Sequence, residues 1–247
     1  MPEKRLLIKI LLVTFGLLIF LWLLFFVTPL KYSIMNHRSK DVRNHLLRGV
    51  AWFDFNHKPN LSGWEEKIFQ GRVLYSIKSG RTGKYLNAYS KNAASGMIYW
   101  LKFNPCKNPM VSWKWKVVKF PDKNISSQKE NWWIEKDDYA ARFYIIFPRF
   151  PFFRLQCLEY IWDQTRPAGT VLTNPNFRNL KIIVAESGDK NLGQWITVER
   201  NVCEDFNKVF GRAPGNVGAI AIMTDSDNSG SVAEAQYNDI EVGYGNQ

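Results

Sequence analysis

The sequence predicts an all-β domain, an antiparallel β-sandwich or jelly roll with one short helix, behind a single N-terminal transmembrane helix. Three observations lead to this prediction. Residues 10–30 are almost entirely apolar and carry no charge. Short runs of aromatic and β-branched residues fill the rest of the chain, and Gly, Pro, Asn, Asp and Ser separate them. No long helical pattern lies between these runs, so a parallel sheet built on crossover helices is not expected.

Residues 10–30 are long enough to cross a membrane, because about 20 apolar residues span a ~30 Å hydrocarbon core as a helix. We interpret residues 1–30 as an uncleaved signal anchor, since the apolar run exceeds that of a cleaved signal peptide. More basic residues follow the span than precede it, which favours a cytoplasmic domain. A short basic start before a long apolar run is instead typical of export. We prefer the export interpretation, an inner-membrane, single-pass protein with its domain on the periplasmic side.

The remaining chain has the length of one domain, with a basic stalk over residues 31–50 and the predicted β-sandwich over 51–247. The net charge of +11 is compatible with anionic partners. The lysines and arginines form no recognisable nucleic-acid motif, so no nucleic acid partner is expected. Cys106, Cys157 and Cys203 either include one disulfide or are three buried apolar side chains.

Ten runs are predicted to be strands. They span residues 72–78, 84–89, 97–103, 111–118, 139–147, 158–162, 180–185, 195–198, 217–223 and 235–242. In residues 112–117, aromatic side chains alternate with lysines, which is the two-residue period of a half-buried strand. Apolar residues at 202, 206, 209 and 210 predict one helix that ends at Gly211 and packs across one end of the sandwich.

The segment 147–154 combines four phenylalanines, two prolines and two arginines. The prolines exclude a central strand. The phenylalanines either fold back on the core or form an exposed aromatic surface. In the second case, Phe150, Phe152 and Phe153 would contact the bilayer or a protein partner.

Acidic residues end or begin several predicted strands. Asp138, Glu159, Asp163 and Glu186 would supply the two carboxylates of a glycosidase if their strands are neighbours. The ordinary explanation for acids at strand ends is turn formation and pairing with arginines such as Arg142.

The segment 225–230 resembles the first half of a calcium loop, with Asp225, Asp227 and Ser229 at alternate positions before Gly230. The twelfth position is Gln236 rather than Glu, so the closing ligand would be Glu234 or Asp239. The alternative is a polar hairpin turn between the last two predicted strands.

Tryptophans are the other candidate binding residues. Those considered for stacking on sugar rings are Trp100, Trp132, Trp133, Trp162 and Trp195. The chain lacks Gly-x-Ser-x-Gly, His-Glu-x-x-His and phosphate-binding glycine loops. Its three histidines precede the acidic segments, so a His-dependent hydrolase or zinc enzyme is not expected.

Several segments resemble a bacterial envelope family known as domain of unknown function 3047. They are residues 109–117 (PMVSWKWKV), 137–142 (DDYAAR), 160–163 (YIWD), 183–188 (IVAESG), 199–202 (ERNV) and 220–228 (IAIMTDSDN). The resemblance extends from Trp52 to Val242. It implies an exported β-sandwich similar to carbohydrate-binding jelly rolls, and it implies no activity.

The leading functional hypothesis is a membrane-tethered, non-catalytic module that binds a glycan. Its predicted ligand-binding residues are Asp138, Arg142, Trp162, Asp163 and Glu186, with Trp162 stacking on a sugar ring. One alternative is a glycan-cleaving or glycan-modifying enzyme that uses a pair of the four acids. The other is an envelope scaffold that acts through the 147–154 loop.

Overall fold

The computed structural model describes residues 49–123, 137–149 and 154–245. In this part of the chain there are thirteen strands and one helix. They are β1 (Ala51–Phe53), β2 (Trp64–Gln70), β3 (Leu74–Gly80), β4 (Gly83–Lys91), β5 (Ala94–Phe103), β6 (Met110–Lys119), β7 (Arg142–Phe147), β8 (Gln156–Asp163), β9 (Val171–Thr173), β10 (Leu180–Ser187), β11 (Ile196–Asn201), α1 (Val202–Phe210), β12 (Val217–Asp225) and β13 (Val232–Tyr244).

The strands form two sheets. A six-stranded sheet has the order β11-β6-β13-β4-β3, with β1 also paired to β13, and a seven-stranded sheet has the order β2-β5-β12-β7-β8-β10-β9. The two sheets and the short helix confirm the predicted all-β sandwich. Its assignment to the jelly-roll type stays a prediction.

The main core lies between the two sheets. Trp113 and Trp115 of β6 are fully buried, as their alternation with lysines predicts. The Trp113 ring stacks on Phe143 of the opposite sheet at 4.3 Å between centroids. A second apolar cluster, which includes Ile146, Ile161 and Ile182, lies against the other face of the seven-stranded sheet.

Three details differ from the prediction. Strand β10 pairs with β8 in parallel, although the other pairs in the described residues are antiparallel. Strands β1, β2 and β9 were not predicted; β2 carries the charged residues of an edge strand, which prevent association with another sheet edge and hide the apolar pattern of a strand. The segment after Asp225 is not a hairpin turn, since β12 and β13 lie in different sheets. It is a connection between the two layers.

The helix α1 forms where predicted, between an Asn201 cap and Gly211. Its Phe206 is fully buried and packs against Phe147 of the seven-stranded sheet at 4.6 Å. Cys203 of the helix forms a disulfide with Cys106, with a Cα–Cα distance of 5.1 Å, and Cys157 is free and buried. The structure thus decides between the two interpretations of the cysteines.

In the described residues, no helix is long and apolar enough to span a membrane. The predicted anchor at residues 10–30 and nearly all of the basic stalk lie outside the described residues. So do Trp132, Trp133, Phe150, Phe152 and Phe153. Phe147 belongs to β7 and is 1 % exposed, in the core.

Candidate functional site

One end of the seven-stranded sheet gathers most of the predicted site residues. Strands β12, β7, β8 and β10 are neighbours, and β7 runs opposite to the other three. The start of β7 therefore lies beside the ends of β12, β8 and β10. This places Arg142, Asp163, Glu186 and Asp225 at the same end, with Asp138 just before β7.

Three carboxylates form the centre of this acidic end. Asp138, Asp225 and Asp227 each offer one oxygen, and these oxygens lie within 4.8 Å of one another. The Asp138 carboxylate accepts hydrogen bonds from the backbone N–H groups of Asn228 at 3.1 Å and Ser229 at 2.6 Å. The segment after β12 therefore folds over Asp138. Burial and the Asp138 charge raise the pKa of Asp227 to about 6.

Arg142 is the cation buried beside this cluster. Its Nε lies 3.1 Å from Asp225 Oδ1 and 3.4 Å from Glu159 Oε1, and its Nη2 pairs with Asp137. Burial raises the pKa of Glu159 to about 7 and that of Asp225 well above its usual range, although Arg142 opposes both shifts. The acids therefore outnumber the arginine that they surround.

The predicted ligand-binding residues are largely occupied within the fold. Trp162 is fully buried, and its indole N–H donates to the Gly188 carbonyl, so the predicted stacking role does not fit its position. Asp163 is 1 % exposed and pairs with Arg166 at 2.9 Å. Glu186 accepts a hydrogen bond from its neighbour, the Ser187 N–H, at 3.2 Å. Asp138 and Arg142 are also buried.

The residues proposed for calcium divide into two groups. Asp225 and Asp227 lie together with Asp138. Because Asp138 precedes Asp225 by 87 residues, a calcium-loop motif in the sequence does not include it. Ser229 Oγ lies 2.8 Å from Ser231 Oγ. Glu234 and Asp239 instead pair with Lys78 at 3.9 Å and Lys114 at 2.6 Å on the other sheet. The three clustered carboxylates are thus the oxygen ligands suited to a hard cation.

A second candidate surface covers the outer face of the six-stranded sheet. Tyr85 of β4 and Trp195, directly before β11, are partly exposed and meet edge to face at 5.8 Å between ring centroids. Lys116 Nζ lies 5.5 Å from the Trp195 centroid and 6.0 Å from the Tyr85 centroid. The Gly193 N–H donates to the Val117 carbonyl at 2.8 Å, which holds the segment before Trp195 against β6. We call this the aromatic face.

Two amide side chains lie beside these rings. Gln236 is in register with both Lys116 and Asn87, so all three side chains project from the same side of the sheet. The Gln236 Nε2 donates to Asn87 Oδ1 at 3.4 Å. Asn87 Nδ2 and Gln236 Oε1 are buried and have no hydrogen-bond partner among the described residues. One donor and one acceptor are thus left unused at adjacent positions.

Sequence reasoning identified only Trp195 among these residues. The alternation in β6 predicts that Lys114 and Lys116 project from the face opposite the buried tryptophans, which is correct but does not reveal that Lys116 contacts aromatic rings. A signal did exist in β4, where Tyr85, Asn87 and Tyr89 alternate with the buried Leu86 and Ala88. The partnerless amides depend on pairing between strands that are 149 residues apart, so no local motif predicts them.

Comparisons with known proteins find distant structural likenesses. The family 11 carbohydrate-binding module of the cellulase Lic26A-Cel5E from Clostridium thermocellum is 12 % identical, over 80 % of this chain and 97 % of that one, with a TM-score of 0.42. A cellulase derived from Cel12A of Rhodothermus marinus is 11 % identical, over 72 % of this chain and 90 % of that one, with a TM-score of 0.43.

No curated protein matches the chain. A family model described as "Protein of unknown function (DUF3047)" matches residues 62–241. This match covers most of the chain and includes all the segments from which the resemblance was inferred. The chain belongs to the DUF3047 family.

Proposed function

We propose that this protein is a non-catalytic glycan-binding module of the cell envelope that binds its ligand on the aromatic face. The observation that carries the proposal is that Asn87 Nδ2 and Gln236 Oε1, beside the Tyr85 and Trp195 rings, have no hydrogen-bond partner among the described residues. Asn87 is 1 % exposed and Gln236 is 7 % exposed. Burying a polar atom without a partner costs about 1–3 kcal/mol, so two such atoms at one place suggest a ligand that satisfies them.

The chemistry of this face suits a sugar. Aromatic rings offer apolar surface to the C–H side of a sugar ring. An amide N–H and an amide carbonyl side by side suit neighbouring hydroxyl groups, because a hydroxyl both donates and accepts hydrogen bonds. The face therefore combines an apolar platform with a few placed polar groups, as ligand sites commonly do.

The acidic end supports the enzyme alternative less well. A glycosidase needs two carboxylates that reach the substrate from either side. Asp138, Glu159 and Asp163 are each at most 1 % exposed, and each already has a hydrogen-bond or ion-pair partner. The aromatic face is therefore the better candidate for contact with a glycan.

The proposed location is the inner membrane, with residues 10–30 as anchor and the sandwich in the periplasm. The Cys106–Cys203 disulfide supports export, because disulfides are typical of oxidising compartments and rare in the cytosol. Protease treatment of spheroplasts tests this location. Digestion of the sandwich without lysis supports it, and protection until the membrane is broken contradicts it. The scaffold role of Phe150, Phe152 and Phe153 stays a prediction.

Binding of the detergent-solubilised full chain to a broad panel of oligosaccharides tests the proposed function. We expect at least one to bind, and Trp195→Ala to weaken it about tenfold or more, which corresponds to about 1.4 kcal/mol. Trp100→Ala is the matched control, since Trp100 lies in β5 of the opposite sheet and donates to Glu65 at 3.2 Å. Absence of binding across the panel, or equal weakening by both variants, would contradict the proposal.

A further inference from the structure

We infer that the glycan bound by the aromatic face is acidic and that Lys116 binds a sugar carboxylate. This inference rests on the proposed function and specifies its ligand. Its starting point is the charge of the six-stranded sheet. The strands of this sheet carry seven basic residues and four acidic ones, which are Glu199, Glu234, Asp239 and Glu241.

All four acids already have partners within the fold. Lys78 and Lys114 pair with Glu234 and Asp239, at 3.9 Å and 2.6 Å. Glu199 accepts a hydrogen bond of 2.6 Å from the Tyr244 hydroxyl.

Glu241, the fourth acid, accepts a hydrogen bond of 3.1 Å from the Gly49 N–H. Across the described chain, none of the recorded ion pairs involves Lys116. Among the residues that the structure describes, no carboxylate therefore neutralises its charge.

The position of Lys116 makes this charge useful for binding. Its ammonium group lies near both aromatic rings, at 5.5 Å and 6.0 Å from their centroids, and its strand neighbour is Gln236. A sugar stacked on Trp195 with its hydroxyls at the amides would bring its substituents close to Lys116. A carboxylate there would add a charge-assisted hydrogen bond in a partly buried setting.

A single carboxylate matches this site better than a phosphate monoester. Lys78 and Lys114 of the same sheet pair with acids, and Lys116 is the lysine that lies over the Tyr85 and Trp195 rings, so the aromatic pair itself offers one positive charge to a ligand. A dianionic phosphate would leave one of its charges without a partner. The chemistry therefore favours a uronic acid or another sugar with one carboxylate.

Paired ligands test this inference. Oligosaccharides of galacturonate, glucuronate, mannuronate and guluronate are each compared with their carboxyl-reduced, neutral counterparts by calorimetry on the full chain. We expect the acidic form to bind about tenfold more tightly in at least one pair, a preference that decreases as salt rises. Lys116→Met should remove the preference, whereas Lys114→Met, a control on the same strand, should retain it.

The outcomes separate the inference from the proposed function. Neutral and acidic forms that bind equally well, or a preference that survives in Lys116→Met, would overturn the carboxylate assignment and leave glycan binding intact. Absence of binding to every acidic and neutral oligosaccharide would overturn both. Retained melting temperatures of both lysine variants would show that the comparison reports on binding and not on folding.

Discussion

Arg142 Nε lies 3.1 Å from Asp225 Oδ1, and both side chains are almost completely buried. Removing the arginine would leave Asp225, Glu159 and Asp137 without their shared cation. We expect Arg142→Met to lower the free energy of unfolding by about 3–5 kcal/mol, because a buried charge that loses its partner is strongly destabilising. Urea denaturation of the full chain in detergent measures this change.

The control for this prediction is Arg72→Met. Arg72 pairs with Glu66 at 3.3 Å, but its side chain is 65 % exposed. Exposed pairs contribute about 0–1 kcal/mol, so the control should unfold at nearly the same urea concentration as the original chain. Equal losses in the two variants would contradict the importance of the buried network.

The Asp227 carboxylate should make stability depend on pH. Its folded pKa of about 6 lies above its ordinary value of 3.8, so the ionised form is less favourable in the folded state. The resulting loss of folding stability is fully present above about pH 6, and it disappears as the pH falls towards 3.8. We expect Asp227→Asn to raise stability by about 1 kcal/mol at pH 7.5 and to have little effect at pH 4.

Melting temperatures at the two pH values test this prediction. Asp189→Asn serves as control, since Asp189 is exposed in the loop after β10. A gain for Asp227→Asn that is equal at both pH values would show that charge repulsion is not its cause.

The calcium hypothesis makes a separate prediction. If Asp138, Asp225 and Asp227 bind Ca²⁺, the ion relieves the repulsion among them and stabilises the folded state. At a hundredfold excess over its dissociation constant, a ligand of the folded state adds about 2.7 kcal/mol, which raises the melting temperature measurably. We expect this rise in millimolar Ca²⁺, its loss on chelation, and its absence in Asp227→Asn. An unchanged melting temperature would reject the site.

The disulfide should contribute strongly to stability. Cys106 and Cys203 are 97 residues apart, and closing a loop of this size stabilises a protein by about 4–5 kcal/mol in the chain-entropy model. We expect Cys203→Ser to lower the free energy of unfolding by several kcal/mol. Cys157→Ser should also shift the unfolding transition, but it leaves the disulfide in place. On a non-reducing gel of the partly digested chain, the fragments that carry Cys106 and Cys203 should stay joined in Cys157→Ser and separate in Cys203→Ser. A single free thiol in the original chain is expected by thiol titration, and three would contradict the disulfide.

The fold was largely predictable because most of the strands carry their own local signal. All ten predicted strands exist, and the alternation of Trp113 and Trp115 with lysines correctly gave the buried face of β6. The pairing between strands has no such local signal. The parallel contact of β8 with β10 and the different sheets of β12 and β13 depend on the whole topology.

The candidate site was less predictable for the same reason. The sequence brought attention to Asp225 and Asp227, but Asp138 joins them only because β7 and β12 are neighbours. Trp162 has the composition of a stacking residue, and only its position between the sheets shows that it is core. The aromatic face combines residues from three strands and a loop, none of which is unusual alone.

The order of the strands has a consequence for how the chain is made. Strand β12 lies between β5 and β7, and β13 lies between β6 and β4, so each sheet has one of these two late strands near its middle. Neither sheet can be completed until residues 217–244 have left the ribosome. The earlier strands would remain incompletely paired throughout synthesis, a state that exposes strand edges and apolar surface. If the chain is exported as proposed, this delay would help to keep the polypeptide unfolded until it has passed through a translocation channel.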